Sequence, residues 1–128
     1  MEKKQVYSTG SAAPSPYISQ AVKYGDILLI GGQYGADPKT GELVGPDIKS
    51  QTKQTLESMK AILAEEGMTM NDVLMCRCFI STMDDFAGFN EVYAQYFTDV
   101  DVPPARYTVQ TGLGAGMKIE IAAYAAKK

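Results

Sequence analysis

Twice along this chain the spacing of apolar residues changes from two to a helical period, and that order admits few folds. Residues 3–8 and 18–23 read as short strands around a Ser/Ala/Pro loop from Ser8 to Pro16. Asp26-Ile27-Leu28-Leu29-Ile30 is a continuous apolar strand ended by Gly31-Gly32-Gln33, and its lack of alternation predicts cover on both faces. Asp37-Pro38-Lys39-Thr40-Gly41 is a turn. From about Asp47 to Glu66 the spacing is helical, with Ile48, Thr52, Leu56, Met59 and Leu63 on one stripe and Gly67 as a stop. Asn71 to Ser81 returns to strand, apolar on both parities. A second helix runs from about Asp85 to Phe97, with Phe86, Phe89, Tyr93, Tyr96 and Phe97 toward the core and Asp84-Asp85 capping its start.

Two more alternating runs follow, Pro104 to Gln110 and Met117 to Ile121, with a Gly-rich turn between them. The order predicts an α+β sandwich in one domain over residues 1–128, both helices on one face of a mostly antiparallel sheet. The other face has no third layer within the chain, which predicts burial against another subunit.

If the last two runs form a hairpin centred on Leu113, Arg106 lies opposite Glu120 with both side chains on one face. From spacing alone, a cross-strand ion pair is the plainer reading. The pair also has chemical potential. The chain has no His, which closes His-dependent general-base and metal chemistry. An Arg that grips a carboxylate beside a Glu that handles water is the chemistry left.

Apolar content of 45% with 21% charged residues fits a globular domain rather than a disordered one. The net charge of −3 argues against nucleic acid and anionic lipid as partners, since both need clustered cations. No run is long and apolar enough to span a bilayer, and no apolar signal core stands near the N-terminus, so a cytoplasmic location is expected. Cys76 and Cys78, the only cysteines, read as packed strand thiols; a zinc site lacks its other ligands. Gly112-Leu113-Gly114-Ala115-Gly116 precedes a strand pattern rather than a helix, which excludes a dinucleotide fingerprint. Ser8, Ser11 and Ser15 have no base to activate them. Asn90 falls on the apolar stripe of the second helix, where it either binds loop backbone or borders a polar pocket. Gly31-Gly32 either forms a tight turn or bulge or lets a ligand approach backbone, and Tyr17 either packs or offers a phenol.

Several short motifs then agree in order and separation with one family. Ser15-Pro16-Tyr17, Gly32-Gln33, Asp37 to Glu42, Asp85-Phe86-Ala87 with Asn90, Pro104-Ala105-Arg106 and Lys118 to Ala122 make the chain resemble the RidA/YjgF proteins almost end to end. The resemblance implies a chorismate-mutase-like, ferredoxin-like α+β fold, a homotrimer with its sheets turned inward, and ligand sites between subunits. It implies hydrolysis of reactive 2-imino acids and enamines to 2-keto acids and ammonia, with no cofactor and no metal. Arg106 would bind the substrate carboxylate, Glu120 would position and activate water, and Tyr17, Gly31, Gly32, Asn90 and Thr108 would line the pocket. The chain departs from the family pattern at Gly31, where Ser is frequent, at Tyr107, at Thr108, where many relatives carry Cys, and at Ala122. A small-carboxylate binding protein without turnover and an endoribonuclease are the alternatives, the latter disfavoured by acidic charge and the missing His.

Overall fold

Strand parity organises the molecule. The computed structural model describes residues 2–127; residues 1 and 128 of the expected domain lie outside them. In chain order the elements are β1 (Lys4–Val6), β2 (Ala21–Tyr24), β3 (Ile27–Tyr34), α1 (Ile48–Ala64), β4 (Val73–Ile80), α2 (Phe86–Phe97), β5 (Ala105–Gln110) and β6 (Ile119–Ala126). They form one six-stranded sheet in the order β1-β2-β3-β6-β4-β5. Every pairing is antiparallel except β4 with β5, which is parallel. The α+β class read from the sequence is the one observed.

Both helices cover one face. Leu56, Met59, Ile62 and Leu63 of α1 and Phe89 of α2 pack there on Leu28, Cys76, Cys78, Ile80, Ile119 and Ile121, all fully buried. Phe86, Tyr93 and Tyr96 flank that core half-buried. The α1 boundaries follow local chemistry. Asp47 caps it by accepting from the Ser50 N–H at 2.9 Å, and Gly67, at φ +67°, takes the left-handed conformation that ends it. Asp85 stands at the N-cap of α2 but makes no side-chain cap. Its carboxylate instead pairs with Lys118 Nζ at 3.3 Å, so the expected capping role is corrected.

Two further expectations change. The strand beginning at Ile27 runs through Gly31-Gly32 to Tyr34, with a bulge between Ile30 and Gln33 rather than an end. The expected hairpin does not form. β5 lies parallel to β4 at the sheet edge, and β6 inserts between β3 and β4. Composition explains the exchange. β6 places Ile119, Ile121, Ala123 and Ala125 on one fully buried face, fit for a central strand, whereas β5 carries Arg106, Thr108 and Gln110 and suits an edge. The opposite sheet face is uncovered within the chain. Ile27 is 50% exposed, Leu29 45% and Tyr124 39%, so the two-sided cover expected for this strand is supplied by the chain on one side only.

The loop from Gln110 to Lys118 hangs on a buried glutamine. Gln51 Nε2 donates to the carbonyls of Gly45 and Gly116 at 2.9 and 3.0 Å, and its Oε1 accepts from the Lys118 N–H at 2.8 Å. Gln51→Leu keeps the volume and strands three backbone groups. It should destabilise the fold by at least about 2 kcal/mol in urea unfolding, given about 1–3 kcal/mol for each unpaired buried group. An unchanged midpoint contradicts this role.

Candidate active site

Arg106 sits on the helix-covered face. It is in register with Cys76, whose side chain points into the core, and aligned residues of parallel strands share a face. Its guanidinium carbon lies 5.7 Å from the ring centre of Phe86, 5.1 Å from Phe89 and 4.7 Å from Tyr93. Its Nη1 donates to Asn90 Oδ1 at 2.8 Å. The Asn90 amide on the helix stripe therefore binds a side chain, not loop backbone. Its Oδ1 orients the guanidinium, and three π faces attract the charge.

Thr108, two residues on, is in register with Cys78, and its hydroxyl is buried without a partner among the described residues. Burial holds the Cys76 thiol above its ordinary range, and burial with the neighbouring Cys76 pushes Cys78 up to about 12. Burial likewise raises the Tyr93 phenol.

Glu120 occupies the other face. Its neighbours on β6, Ile119 and Ile121, point toward the helices, and it pairs across the sheet with Tyr34 and Phe79. The bulge explains Gly32. A Cβ at that position would lie 2.7 Å from Glu120 Oε2 and 2.8 Å from Cδ, so the carboxylate occupies the space that a side chain would take. Gly31 donates its N–H to the Gln20 carbonyl at 2.9 Å, which ties the bulge to the segment before β2. Tyr17 stands on the preceding loop, 86% exposed.

Apart from Tyr17 on its exposed loop, the expected residues fall into two groups. Glu120, Gly31 and Gly32 gather on the open face, while Arg106, Asn90 and Thr108 gather on the helix side at the β5 edge. The expectation that Arg106 and Glu120 face each other on one surface is corrected, because β5 and β6 are not neighbours. Three buried glutamines, Gln20, Gln33 and Gln51, position the surrounding loops and were not singled out from sequence. Polar residues on buried parities were the available signal. Among the described residues no group of three or more His, Cys, Asp or Glu is placed to hold a metal ion, and no helix is long and apolar enough to cross a membrane.

Comparison with known proteins finds relatives along nearly the whole chain. The family model described as Endoribonuclease L-PSP matches residues 9–127. A RutC family protein of Pyrococcus horikoshii is 44% identical over 127 residues, covering 98% of this chain and 99% of that one. The 2-iminobutanoate/2-iminopropanoate deaminase of Escherichia coli K12 is 35% identical over 130 residues, covering all of both. A solved structure of Escherichia coli TdcF with bound serine superposes with a TM-score of 0.91 at 31% identity, covering 98% of this chain and 99% of that one. The chain belongs to the RutC/Rid (YjgF) family.

The thiol environment is testable. Both cysteines should resist a disulfide reagent at pH 8 in the folded protein and react only on unfolding, because burial suppresses the thiolate. The folded Cys78 pKa lies above its unfolded value, so its contribution to stability is complete below about pH 8.5. It should be lost as pH rises toward about 12. Rapid labelling of the native protein contradicts this account.

Proposed function

We propose that this chain hydrolyses reactive 2-imino acids and their enamine tautomers, of the 2-aminoacrylate-derived and 2-iminobutanoate kinds, to 2-keto acids and ammonia. It works in the cytoplasm as a homotrimer with its sites between subunits. The observation that carries the reading is the state of Arg106. Asn90 and three rings hold its guanidinium, yet Asn90 is its one hydrogen-bond partner among the described residues, which leaves N–H donors for a bidentate carboxylate. The family relationship to proteins named as 2-iminobutanoate/2-iminopropanoate deaminases supports the same chemistry.

The reaction needs no enzyme nucleophile. Arg106 fixes the substrate carboxylate, which orients the C=N carbon. Glu120 takes a proton from water as its oxygen bonds to that carbon and passes that proton to the imine nitrogen, which becomes an amine. The tetrahedral carbinolamine then collapses. Glu120 takes the hydroxyl proton and delivers it to the amine nitrogen, so the C=O bond of the keto acid forms as the C–N bond breaks and ammonia leaves. Because one chain holds Arg106 and Glu120 on opposite faces, a complete site takes the clamp from one copy and the carboxylate from its neighbour. The uncovered face with Ile27, Leu29 and Tyr124 is the surface such an assembly would bury.

An amino-acid oxidase that releases 2-iminopropanoate in situ supplies the assay, read as added keto-acid release. Glu120→Gln should still bind pyruvate by calorimetry while turnover falls about 10²–10⁴-fold. Arg106→Lys keeps the charge and loses the fork, so binding and turnover should fall together. Wild-type binding of pyruvate with no acceleration would leave the carboxylate-binding alternative standing. RNA cleavage abolished by Glu120→Gln would favour the endoribonuclease reading.

Gly32 gives a second check. Gly32→Ala intrudes on the Glu120 carboxylate and should lower turnover at least about tenfold with little change in pyruvate affinity. Unaltered turnover would remove Gly32 from the site.

A further inference from the structure

The open sheet face carries a cation that the proposed reaction does not use. Arg77 stands on β4 between Cys76 and Cys78, whose side chains are fully buried beneath the helices, so its own side chain points the other way. Its cross-strand partners there are Tyr107 of β5 and Ala122 of β6, two of the positions at which the chain departs from the family pattern. Arg77 Nε donates to the Tyr107 hydroxyl at 2.6 Å, and its Nη1 donates to the Tyr124 hydroxyl at 3.2 Å. The guanidinium carbon also lies 6.0 Å from the Tyr124 ring centre.

This cluster has donors and no acceptor to receive them. Both phenols accept from Arg77, so each keeps an O–H to donate, and neither O–H has an acceptor among the described residues. The guanidinium keeps unengaged N–H groups as well. Arg77 forms no ion pair among the described residues. Glu120 is the only acid in the strands. Its carboxylate leans over Gly32 of β3, whereas Arg77 stands on β4, on the far side of β6. Donors thus converge from three side chains, and an oxyanion completes them. A guanidinium buried without a counter-charge is costly, so copies that join through this face would need one.

We propose that Arg77, Tyr107 and Tyr124 form a binding site for a small oxyanion such as inorganic phosphate, enclosed when copies join through the open face. Arg77 takes the anion on its free N–H groups, and the two phenol O–H groups complete the contact. The enclosure rests on the assembly of copies proposed above; the binding itself does not. Because the anion offsets the charge that assembly would bury, it should strengthen the assembly.

Calorimetry with inorganic phosphate is the test, on protein refolded and dialysed in chloride at matched ionic strength. The wild type should bind. Arg77→Met should weaken that binding at least about tenfold, the scale of hydrogen bonds to a charged group, while binding pyruvate as the wild type does. Tyr107→Phe, which keeps the cation and removes one O–H, should weaken it about threefold or more. No wild-type binding, or equal affinity in wild type and Arg77→Met, overturns the site. Binding abolished by Arg106→Lys and kept in Arg77→Met also overturns it, since the anion then sits on the imine site's clamp. So does phosphate bound by Glu120→Gln but not by the wild type, because a neighbour's carboxylate then fills the cluster. Phosphate should raise the thermal midpoint over chloride more in the wild type than in Arg77→Met, a comparison that removes its general salt effect. Equal rises overturn the link to assembly. If the protein sediments as a monomer in both salts, the assembly reading fails and calorimetry decides the oxyanion site alone.

Discussion

Strand β6, inserted between β3 and β4, sets nearly everything else in the molecule. Its side chains alternate, so once Ile119, Ile121, Ala123 and Ala125 are buried beneath α1 and α2, Glu120 must stand on the opposite face. A slip of one residue would bury the carboxylate and expose the isoleucines, at a cost no compact form of this chain could absorb. The same insertion displaces β5 to the edge beside β4. There Arg106 meets α2 rather than β6. The separation of the two charged residues is therefore a consequence of packing, not of local preference.

Loops of little intrinsic structure are held by amides rather than by charges. Gln20 and Gln33 anchor the Ser8–Pro16 segment to the β3 bulge, and Gln51 anchors the loop before β6. A buried amide satisfied at both ends fixes two backbone segments at once without carrying a charge into the core. Ion pairs play a smaller part. Glu66 meets Lys4 and Lys23 at 2.9 and 3.3 Å, the former well exposed, where such pairs contribute modestly.

The helices were legible in the sequence almost to the residue. The α1 stripe, Asp47 and Gly67 are local signals, and Phe86, Phe89 and Tyr93 recur at helical spacing. Strands were legible as segments, because alternation is local, but β3 and β6 run past their expected ends to Tyr34 and Ala126. Strand partners were not legible. Alternation around Arg106 and Glu120 suits a hairpin and a split pair alike, and only competition for the sheet centre, won by the Ile/Ala face of β6, decides between them. The Gly31-Gly32 bulge looked like an end for a related reason. Two glycines signal missing side chains without saying that the Glu120 carboxylate takes the place of the one at Gly32. Asn90 was recognisable as a polar residue on an apolar stripe, but its Arg106 partner lies 16 residues away and across the α2–β5 connection.

If Arg106 and Glu120 act on one substrate from opposite faces of their own sheets, the working site joins two copies. Subunit mixing tests this directly. Arg106→Lys and Glu120→Gln proteins, each depleted in imine hydrolysis, are unfolded together in equal amounts, refolded and assayed. A site that draws one residue from each of two neighbours should recover about a quarter of wild-type activity, since random assembly restores that fraction of interfaces. Activity no greater than the mean of the two separate variants, in a refolded mixture shown to contain hybrid oligomers, would place both residues in one subunit's site and contradict the account.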